Sequence, residues 1–148
     1  MTTRILVVDD FEQWRLLVRS ILENVPGLRV VGEASDGVEA VKEAATLLPD
    51  IVLLDVGMPR LNGIEAAERI RHASPESKII FLTQDSDSEV KRAALATGAL
   101  AYLSKSRANY ELRATIETAM LTFQTAGAKL SVPESSSLLQ NWRTCLSG

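Results

Sequence analysis

Three aspartates, a threonine and a lysine stand at or directly after the ends of short apolar runs in this sequence: Asp9, Asp10, Asp55, Thr83 and Lys105. Carboxylates that lie close together repel one another and raise each other's pKa values. A hard divalent cation such as Mg²⁺ removes that conflict, because it prefers oxygen ligands. A lysine ammonium binds a phosphate oxygen as a point charge, and a threonine hydroxyl donates a hydrogen bond to the same group. These residue types together predict phosphoryl transfer to a carboxylate.

Five apolar runs rich in β-branched residues predict the strands that position these side chains: Ile5–Val8, Leu28–Ala34, Ile51–Leu54, Lys78–Thr83 and Leu100–Ser104. Several runs are continuous rather than alternating, which suits strands buried on both faces. A helical pattern follows each run, at Glu12–Asn24, Asp36–Leu47, Asn62–Ala73, Asp87–Thr97 and Asn109–Phe123. Five β-α units in succession predict an α/β fold with a doubly wound, flavodoxin-like parallel sheet of order 2-1-3-4-5.

The predicted strand order brings the candidate residues to one edge of the sheet. The carboxyl ends of parallel strands share that edge, and ligands bind where the winding reverses. Strands 1 and 3 are neighbours in this order, so Asp9, Asp10 and Asp55 converge, with Thr83 and Lys105 on the same edge. Capping of the first helix would by itself explain the first two aspartates. Because Asp55 and Lys105 lie at the same edge, the complete set of residues favours a metal site.

Composition excludes several classes of protein. The chain has 148 residues, of which 46% are hydrophobic, so it can build a full core and is not mostly disordered. A net charge of −3 argues against non-specific nucleic-acid binding. The sequence has no signal-peptide layout and no apolar run of membrane-spanning length. The single cysteine, Cys145, forms neither an internal disulfide nor a zinc site. We expect a cytoplasmic protein.

The character of the sequence changes after Phe123. Residues 124–148 contain glycine, proline and a serine run, so this segment begins like a linker. Four apolar residues further on share a helical face, namely Leu138, Leu139, Trp142 and Leu146. They predict a short amphipathic helix that docks on the chain or a partner, with disorder as the alternative. We therefore expect a domain over residues 1–123 and a C-terminal extension over residues 124–148.

Five motifs in order along the chain carry a family resemblance. They are Val7-Val8-Asp9-Asp10, Leu53-Leu54-Asp55-Val56-Gly57-Met58-Pro59, Asn62-Gly63-Ile64-Glu65-Ala66, Thr83, and Gly98-Ala99-Leu100-Ala101-Tyr102-Leu103-Ser104-Lys105. Together they resemble the CheY-like receiver domain of bacterial two-component response regulators. The greatest similarity is to receivers of LuxR/FixJ/NarL-type regulators. The resemblance covers the chain from about Arg4 to Phe123.

The resemblance implies a phosphoacceptor and a metal site. Asp55 would accept a phosphoryl group from the phosphohistidine of a histidine kinase. Asp10 and Asp55 would bind Mg²⁺ directly, together with the carbonyl oxygen of Gly57, and Asp9 would act largely through water. The set corresponds to a phosphorylatable switch, with at most slow self-phosphorylation from small donors and slow autodephosphorylation. It does not correspond to a turnover enzyme.

The resemblance also implies a conformational response. Thr83 and Lys105 would hold the phosphoryl oxygens, and Tyr102 matches the switch aromatic whose ring turns inward as the threonine moves. New contacts at the phosphorylated aspartate would then favour a second arrangement of the fourth helix, fifth strand and fifth helix.

The sequence departs from the family pattern at three positions. Ser106 follows the lysine, where many receivers have a proline joined through a cis bond. Gln84 follows the threonine, where a smaller residue is usual, and would narrow access to the site. Gly57 offers no side chain to position an attacking water, so we hypothesise that Asp85 sets the rate of autodephosphorylation.

We expect output through protein–protein contact, because the extension is too short and too poor in apolar residues for a helix-turn-helix, and it is not basic. The implied partners are a histidine kinase or phosphotransfer protein, a second copy of the chain or a downstream target, with neither nucleic acid nor membrane. One alternative is a receiver fragment of a DNA-binding transcriptional regulator whose effector domain is absent from this chain. Two others are an aspartate-nucleophile phosphatase, which would turn over aryl phosphates, and a pseudo-receiver that functions without phosphorylation.

Overall fold

A computed structural model describes residues 2–129, which form five parallel strands alternating with five α-helices. The strands are β1 (Thr3–Val8), β2 (Leu28–Ala34), β3 (Ile51–Leu54), β4 (Lys78–Thr83) and β5 (Ala101–Ser104). The helices are α1 (Glu12–Glu23), α2 (Gly37–Leu47), α3 (Gly63–Ala73), α4 (Ser88–Ala96) and α5 (Ala108–Lys129). All pairs are parallel in the order β2-β1-β3-β4-β5, which confirms the predicted doubly wound sheet.

Three of the helices begin one residue after their predicted starts, because the predicted first residue is the N-cap. Asp36, Asn62 and Asp87 keep extended backbones and precede α2, α3 and α4. Each side chain accepts a hydrogen bond from a backbone N–H in the first turn, at 2.8–3.0 Å. An N-cap carboxylate or amide satisfies a donor that the helix itself leaves unpaired.

The central strands form the core on which the candidate site rests. All four residues of β3 are buried, as are the last four of β1 and the last five of β4. These continuous apolar runs suit strands that are covered on both faces. The carboxyl ends of β1 and β3 are therefore held on a closely packed base.

The edge strand β2 carries an irregularity. Its register against β1 shifts after Ile5, so that Val30 pairs with Ile5 but Gly32 pairs with Leu6. Val31 is the additional residue, as in a β-bulge. Beyond it, Ala34 pairs with Val8, next to the acidic end of β1.

α5 begins within a unit that ends at Arg113, and a second unit starts at Ala114. In the second unit the helix continues to Lys129, six residues beyond the predicted end at Phe123. The hydroxyls of Thr118 and Thr122 each donate to the carbonyl four residues earlier. The amphipathic segment predicted around Trp142 lies outside the described residues. None of the described helices combines the length and the apolar character that a membrane span requires.

Candidate functional site

The three aspartates meet at the carboxyl edge of the sheet, where β1 and β3 are adjacent. One carboxylate oxygen from each of Asp9, Asp10 and Asp55 lies within 4.8 Å of the others. The backbone hydrogen bonding of the sheet extends to two of these aspartates. The N–H of Asp9 donates to the carbonyl of Ala34 at 3.0 Å, and the N–H of Asp55 donates to the carbonyl of Val8 at 3.1 Å. Asp9 and Asp55 are buried, whereas Asp10 is exposed.

Asp9 is held by the turn that leads into α1. Its Oδ1 accepts from the N–H of Phe11 at 2.9 Å, and the Arg15 guanidinium donates to its carbonyl at 2.6 Å. Phe11 is the N-cap residue of α1 and has no side-chain capping hydrogen bond. The side chain of Asp9 thus bonds the N–H of the N-cap residue itself.

Lys105 reaches into the acidic cluster from the end of β5. Its Nζ lies 2.6 Å from Oδ2 of Asp9 and 3.3 Å from Oδ2 of Asp55. The contact with Asp55 has the direction of a hydrogen bond, but the shorter one with Asp9 does not. Within residues 2–129, Oδ2 of Asp9 is thus buried beside a cation without a well-directed donor.

The environment of Asp9 disfavours its charged form. Burial raises the pKa of its carboxyl above the ordinary value, and the negative charge of Asp55 raises it further. The nearby ammonium of Lys105 and the hydrogen bond from the N–H of Phe11 oppose this rise without cancelling it. An orphaned buried oxygen in a group of three carboxylates fits a hard divalent cation. Gly57 lies on the open side, since a Cβ there would meet no atom within 4 Å.

The loop after Asp55 is shaped by a close backbone approach. The N–H of Gly63 donates to the carbonyl of Val56 at 2.8 Å. A Cβ at Gly63 would lie 1.9 Å from the carbonyl oxygen of Asp55, a separation that excludes any other residue without a backbone shift. Arg60 in the same loop has φ +69° and contacts Asp36 at 3.3 Å. The sequence contained Gly63 in a motif, but its packing role was not predicted.

Thr83 and Tyr102 are connected through the backbone of Asp85. The N–H of Asp85 donates to Oγ1 of Thr83 at 3.2 Å, and the hydroxyl of Tyr102 donates to the carbonyl of Asp85 at 2.9 Å. Burial raises the pKa of Tyr102, and the charges of Asp85 and Asp55 add to this rise. The phenol therefore stays a hydrogen-bond donor. Thr83 is buried and the neighbouring Gln84 is exposed.

The loop after Lys105 continues through a trans peptide bond to Ser106. Peptide bonds throughout residues 2–129 are trans. Residues Lys105–Arg107 form a short 3₁₀ turn, and Oγ of Ser104 accepts from the N–H of Ser106 at 3.3 Å. A serine pair thus shapes the turn at this position.

Trp14 lies at the site, although the sequence analysis did not place it among the candidate residues. The Nζ of Lys105 lies over its indole ring, 5.1 Å from the ring centroid. The available signal was its place in the first turn after Asp9 and Asp10. That signal was weak, because the direction of a side chain depends on the residue at which the helix begins.

A family model for the response regulator receiver domain matches residues 5–117. The chain belongs to this family. The motif-based prediction of a receiver is therefore confirmed, and so is its role as the receiver domain of a two-component response regulator. Receivers of this kind are signalling domains.

Two regulators illustrate the similarity at sequence level. The receiver is 40% identical over 114 residues to the response regulator UvrY of Escherichia coli K12, covering 77% of this chain and 52% of that protein. It is 39% identical over 116 residues to the transcriptional regulatory protein LiaR of Bacillus subtilis, covering 78% and 55%. The chain spans about half the length of these curated relatives.

The structure of a LuxR-family two-component response regulator from Aurantimonas sp. SI85-9A1 superposes with a TM-score of 0.77 and 35% identity. The match covers 82% of this chain and 87% of that one. This likeness supports the similarity to LuxR-type receivers that the motifs indicated.

Proposed function

We propose that this receiver accepts a phosphoryl group on Asp55 from a phosphohistidine of a histidine kinase or phosphotransfer protein. The observation that carries the proposal is the position of the Asp55 carboxylate, which is buried among two further carboxylates and lies 3.3 Å from the Lys105 ammonium. Asp9, Asp10, Asp55 and the carbonyl of Gly57 would hold Mg²⁺. When bound, Mg²⁺ supplies positive charge that offsets the phosphoryl oxygens.

The transfer uses the carboxylate oxygen of Asp55 as nucleophile. That oxygen forms a bond to phosphorus while the phosphorus–nitrogen bond of the donor breaks, and the electron pair returns to the imidazole. The ammonium of Lys105 holds a phosphoryl oxygen, which requires it to give up part of its contact with Asp9.

The switch is a redistribution of hydrogen bonds around Asp85. To donate to a phosphoryl oxygen, Thr83 moves from its present partner, the N–H of Asp85, and Tyr102 follows through its bond to the same residue. The element that responds is α4, in which only Ala94 is buried. A helix with so small a buried surface shifts readily. The face formed by α4, β5 and the start of α5 then controls protein–protein contacts.

The remaining assignments follow from this switch. Residues 1–123 act as the receiver and residues 124–148 as an extension, in the cytoplasm. The chain itself binds neither nucleic acid nor membrane, and its output is a homodimer, a kinase contact or a downstream protein. Turnover is limited to slow self-phosphorylation from small donors and slow autodephosphorylation.

A second candidate is that this chain is the receiver portion of a longer transcriptional regulator. The observation that favours it is coverage, since the chain matches only 52% of UvrY and 55% of LiaR. LiaR is a transcriptional regulatory protein by name, so an effector domain that binds DNA would supply the output in that case.

The experiment is intact mass spectrometry after incubation with Mg²⁺ and acetyl phosphate. We expect wild type to gain one phosphoryl group and Asp55→Asn to gain none. Asp87→Asn is the matched control, because asparagine also caps α4 and the group should still be gained. Mg²⁺ alone should raise the melting temperature of wild type, because it binds only the folded chain, and Asp10→Asn should reduce that rise.

Two results would contradict the proposal. A folded wild type that takes no phosphoryl group from any donor would favour a pseudo-receiver. Repeated turnover of an aryl phosphate would favour a phosphatase. Size exclusion on the same samples separates a homodimer output, which shifts the elution volume, from a hetero-partner, which does not.

A further inference from the structure

The ammonium of Lys105 has three partners in the site. Two are the carboxylates of Asp9 and Asp55, at 2.6 and 3.3 Å. The third is the indole face of Trp14, with Nζ 5.1 Å from the ring centroid. The Lys105 side chain is 10% exposed, so the cation is largely withdrawn from water. An aromatic face attracts a cation most strongly when the cation is desolvated in this way.

The three partners differ in what happens to them when a divalent cation binds. The carboxylates share their negative charge with that cation, so their attraction for Lys105 weakens. The indole carries no charge that a metal would neutralise, and its attraction persists. Trp14 is therefore the partner that can keep the ammonium beside Asp55 in the loaded site.

We propose that Trp14 is a positioning residue for Lys105: its indole face holds the ammonium in place to meet the incoming phosphoryl oxygens. This inference rests on the proposed function of Asp55. It adds a residue of α1 to the site, whose other candidate residues lie at the ends of strands or directly after them.

The position of the ring is itself fixed by its surroundings. Trp14 lines a narrow gap together with Val18 of α1, Leu53 of β3, Leu82 of β4 and Asp9, which directly follows β1. The gap is too small to hold a water molecule, so the residues that line it lie close around the indole.

The next residue along α1 anchors the same turn. Arg15 donates to the carbonyl of Asp9 at 2.6 Å and to Oε1 of Glu33 at 3.0 Å. The first turn of α1 is thus tied both to the acidic loop and to the edge strand, and a ring on this turn can hold a cation in a defined place.

The test compares Trp14→Leu with Trp14→Phe and Trp14→Tyr. Attraction for a cation falls from tryptophan through tyrosine and phenylalanine to leucine, whereas each replacement leaves a large, mainly apolar side chain at this position. We expect phosphorylation of Trp14→Leu by acetyl phosphate to be slower by about fivefold to tenfold, with partial rescue in the two aromatic variants. Leu16→Ala, an exposed position on the same helix, is the control and should keep the wild-type rate.

A second readout does not depend on phosphorylation. Protons above an aromatic face are shielded by its ring current, so the ε-CH₂ signal of Lys105 in ¹H–¹³C spectra should lie upfield in metal-free wild type. Its assignment follows from its loss in Lys105→Arg. We expect the signal to return to the ordinary lysine position in Trp14→Leu and to stay upfield in Trp14→Phe.

The outcomes separate this inference from the proposed function. An upfield signal together with graded rates supports the positioning role. Equal rates in wild type and folded Trp14→Leu overturn it, and so does an equal loss in all three variants, because the ring would then not be the cause. If wild type takes no phosphoryl group, the proposed function fails by itself. An ε-CH₂ signal unaffected by Trp14→Leu overturns the proposal that Trp14 positions Lys105, even if wild type is phosphorylated.

Discussion

Asp9 and Asp50 lie at opposite ends of the same parallel sheet, and the two carboxylates differ in their hydrogen bonds. Oδ2 of Asp50 accepts from the N–H of Arg4 at 2.8 Å, and the N–H of Asp50 donates to the carbonyl of Arg4 at 2.9 Å. Oδ2 of Asp9 is buried, and no residue described in the structure gives it a well-directed hydrogen bond. The amino edge satisfies its polar groups, whereas the carboxyl edge leaves charge for a ligand.

Other contacts extend the same pattern along the amino edge. The Arg4 guanidinium donates to the carbonyls of Leu47 and Leu48, which closes the end of α2. The hydroxyl of Ser77 donates to the carbonyl of Pro49 and bonds that of Ser74. Buried polar groups with hydrogen-bond partners add to stability, and a buried oxygen without a well-directed donor subtracts from it. The amino edge of the sheet therefore stabilises the domain, while the carboxyl edge holds the candidate site.

The largest expected effect is a loss of stability caused by a change at the carboxyl edge. It would show that this edge also contains a residue on which the stability of the domain depends. Gly63→Ala forces a Cβ to within 1.9 Å of the Asp55 carbonyl oxygen, and the backbone must shift. We expect the free energy of unfolding to fall by about 3 kcal/mol in urea titration. Gly57→Ala is the matched control in the same loop and should be nearly neutral. Equal stability of the two variants would show that the loop is freely deformable.

The second prediction sharpens the comparison by making a similar change at each edge. Asp50→Ala removes the acceptor for the N–H of Arg4, and we expect it to lower the free energy of unfolding by about 1–2 kcal/mol. Asp10→Ala relieves repulsion among carboxylates and should raise it by up to about 0.5 kcal/mol in Mg²⁺-free buffer. Chemical denaturation of both variants provides the measurement. The same sign of change for both would remove the distinction between the edges.

The smallest expected effect concerns Glu33, which lies between Arg15 and Arg19 at 3.0 Å from each. Burial raises its pKa, but the hydrogen bonds and charges of the two guanidinium groups together bring it below the ordinary value of 4.5. A lowered folded pKa means that ionised Glu33 stabilises the fold above pH 4.5 and that this contribution disappears as the pH falls through the folded pKa.

Glu33→Gln should therefore lower the free energy of unfolding by about 0.5 kcal/mol at pH 7. The difference from wild type should persist down to about pH 4.5 and close below it. Urea unfolding at a series of pH values follows this change, with exposed Glu76→Gln as the control. A difference that grows on acidification would contradict the assigned sign.

The strands and their order could be predicted because a doubly covered parallel sheet leaves continuous apolar runs in the sequence. The convergence of Asp9, Asp10 and Asp55 with Lys105 followed from that order alone. Helix ends were harder to predict. Asp36 was counted inside α2 because an N-cap belongs half to the helix and half to the loop.

The contacts that refine the site depend on three-dimensional details that spacing does not encode. Trp14 meets Lys105 because the turn at Asp9 fixes the residue at which α1 begins. Gly63 meets the Asp55 carbonyl because α3 starts directly above the end of β3. The length of α5 was underestimated because Gly127 is a poor helix former in a linker-like composition, yet the helix runs on to Lys129.

The register shift in β2 has a consequence for association between chains. An edge strand offers a row of unpaired backbone groups to any other strand, which is a route to aggregation. In β2 the bulge at Val31 interrupts the regular spacing of that row and increases the local twist. Exposed Arg29 adds a charge before the bulge. The irregularity that brings Ala34 beside the acidic loop thus also makes this edge a poor template for sheet extension.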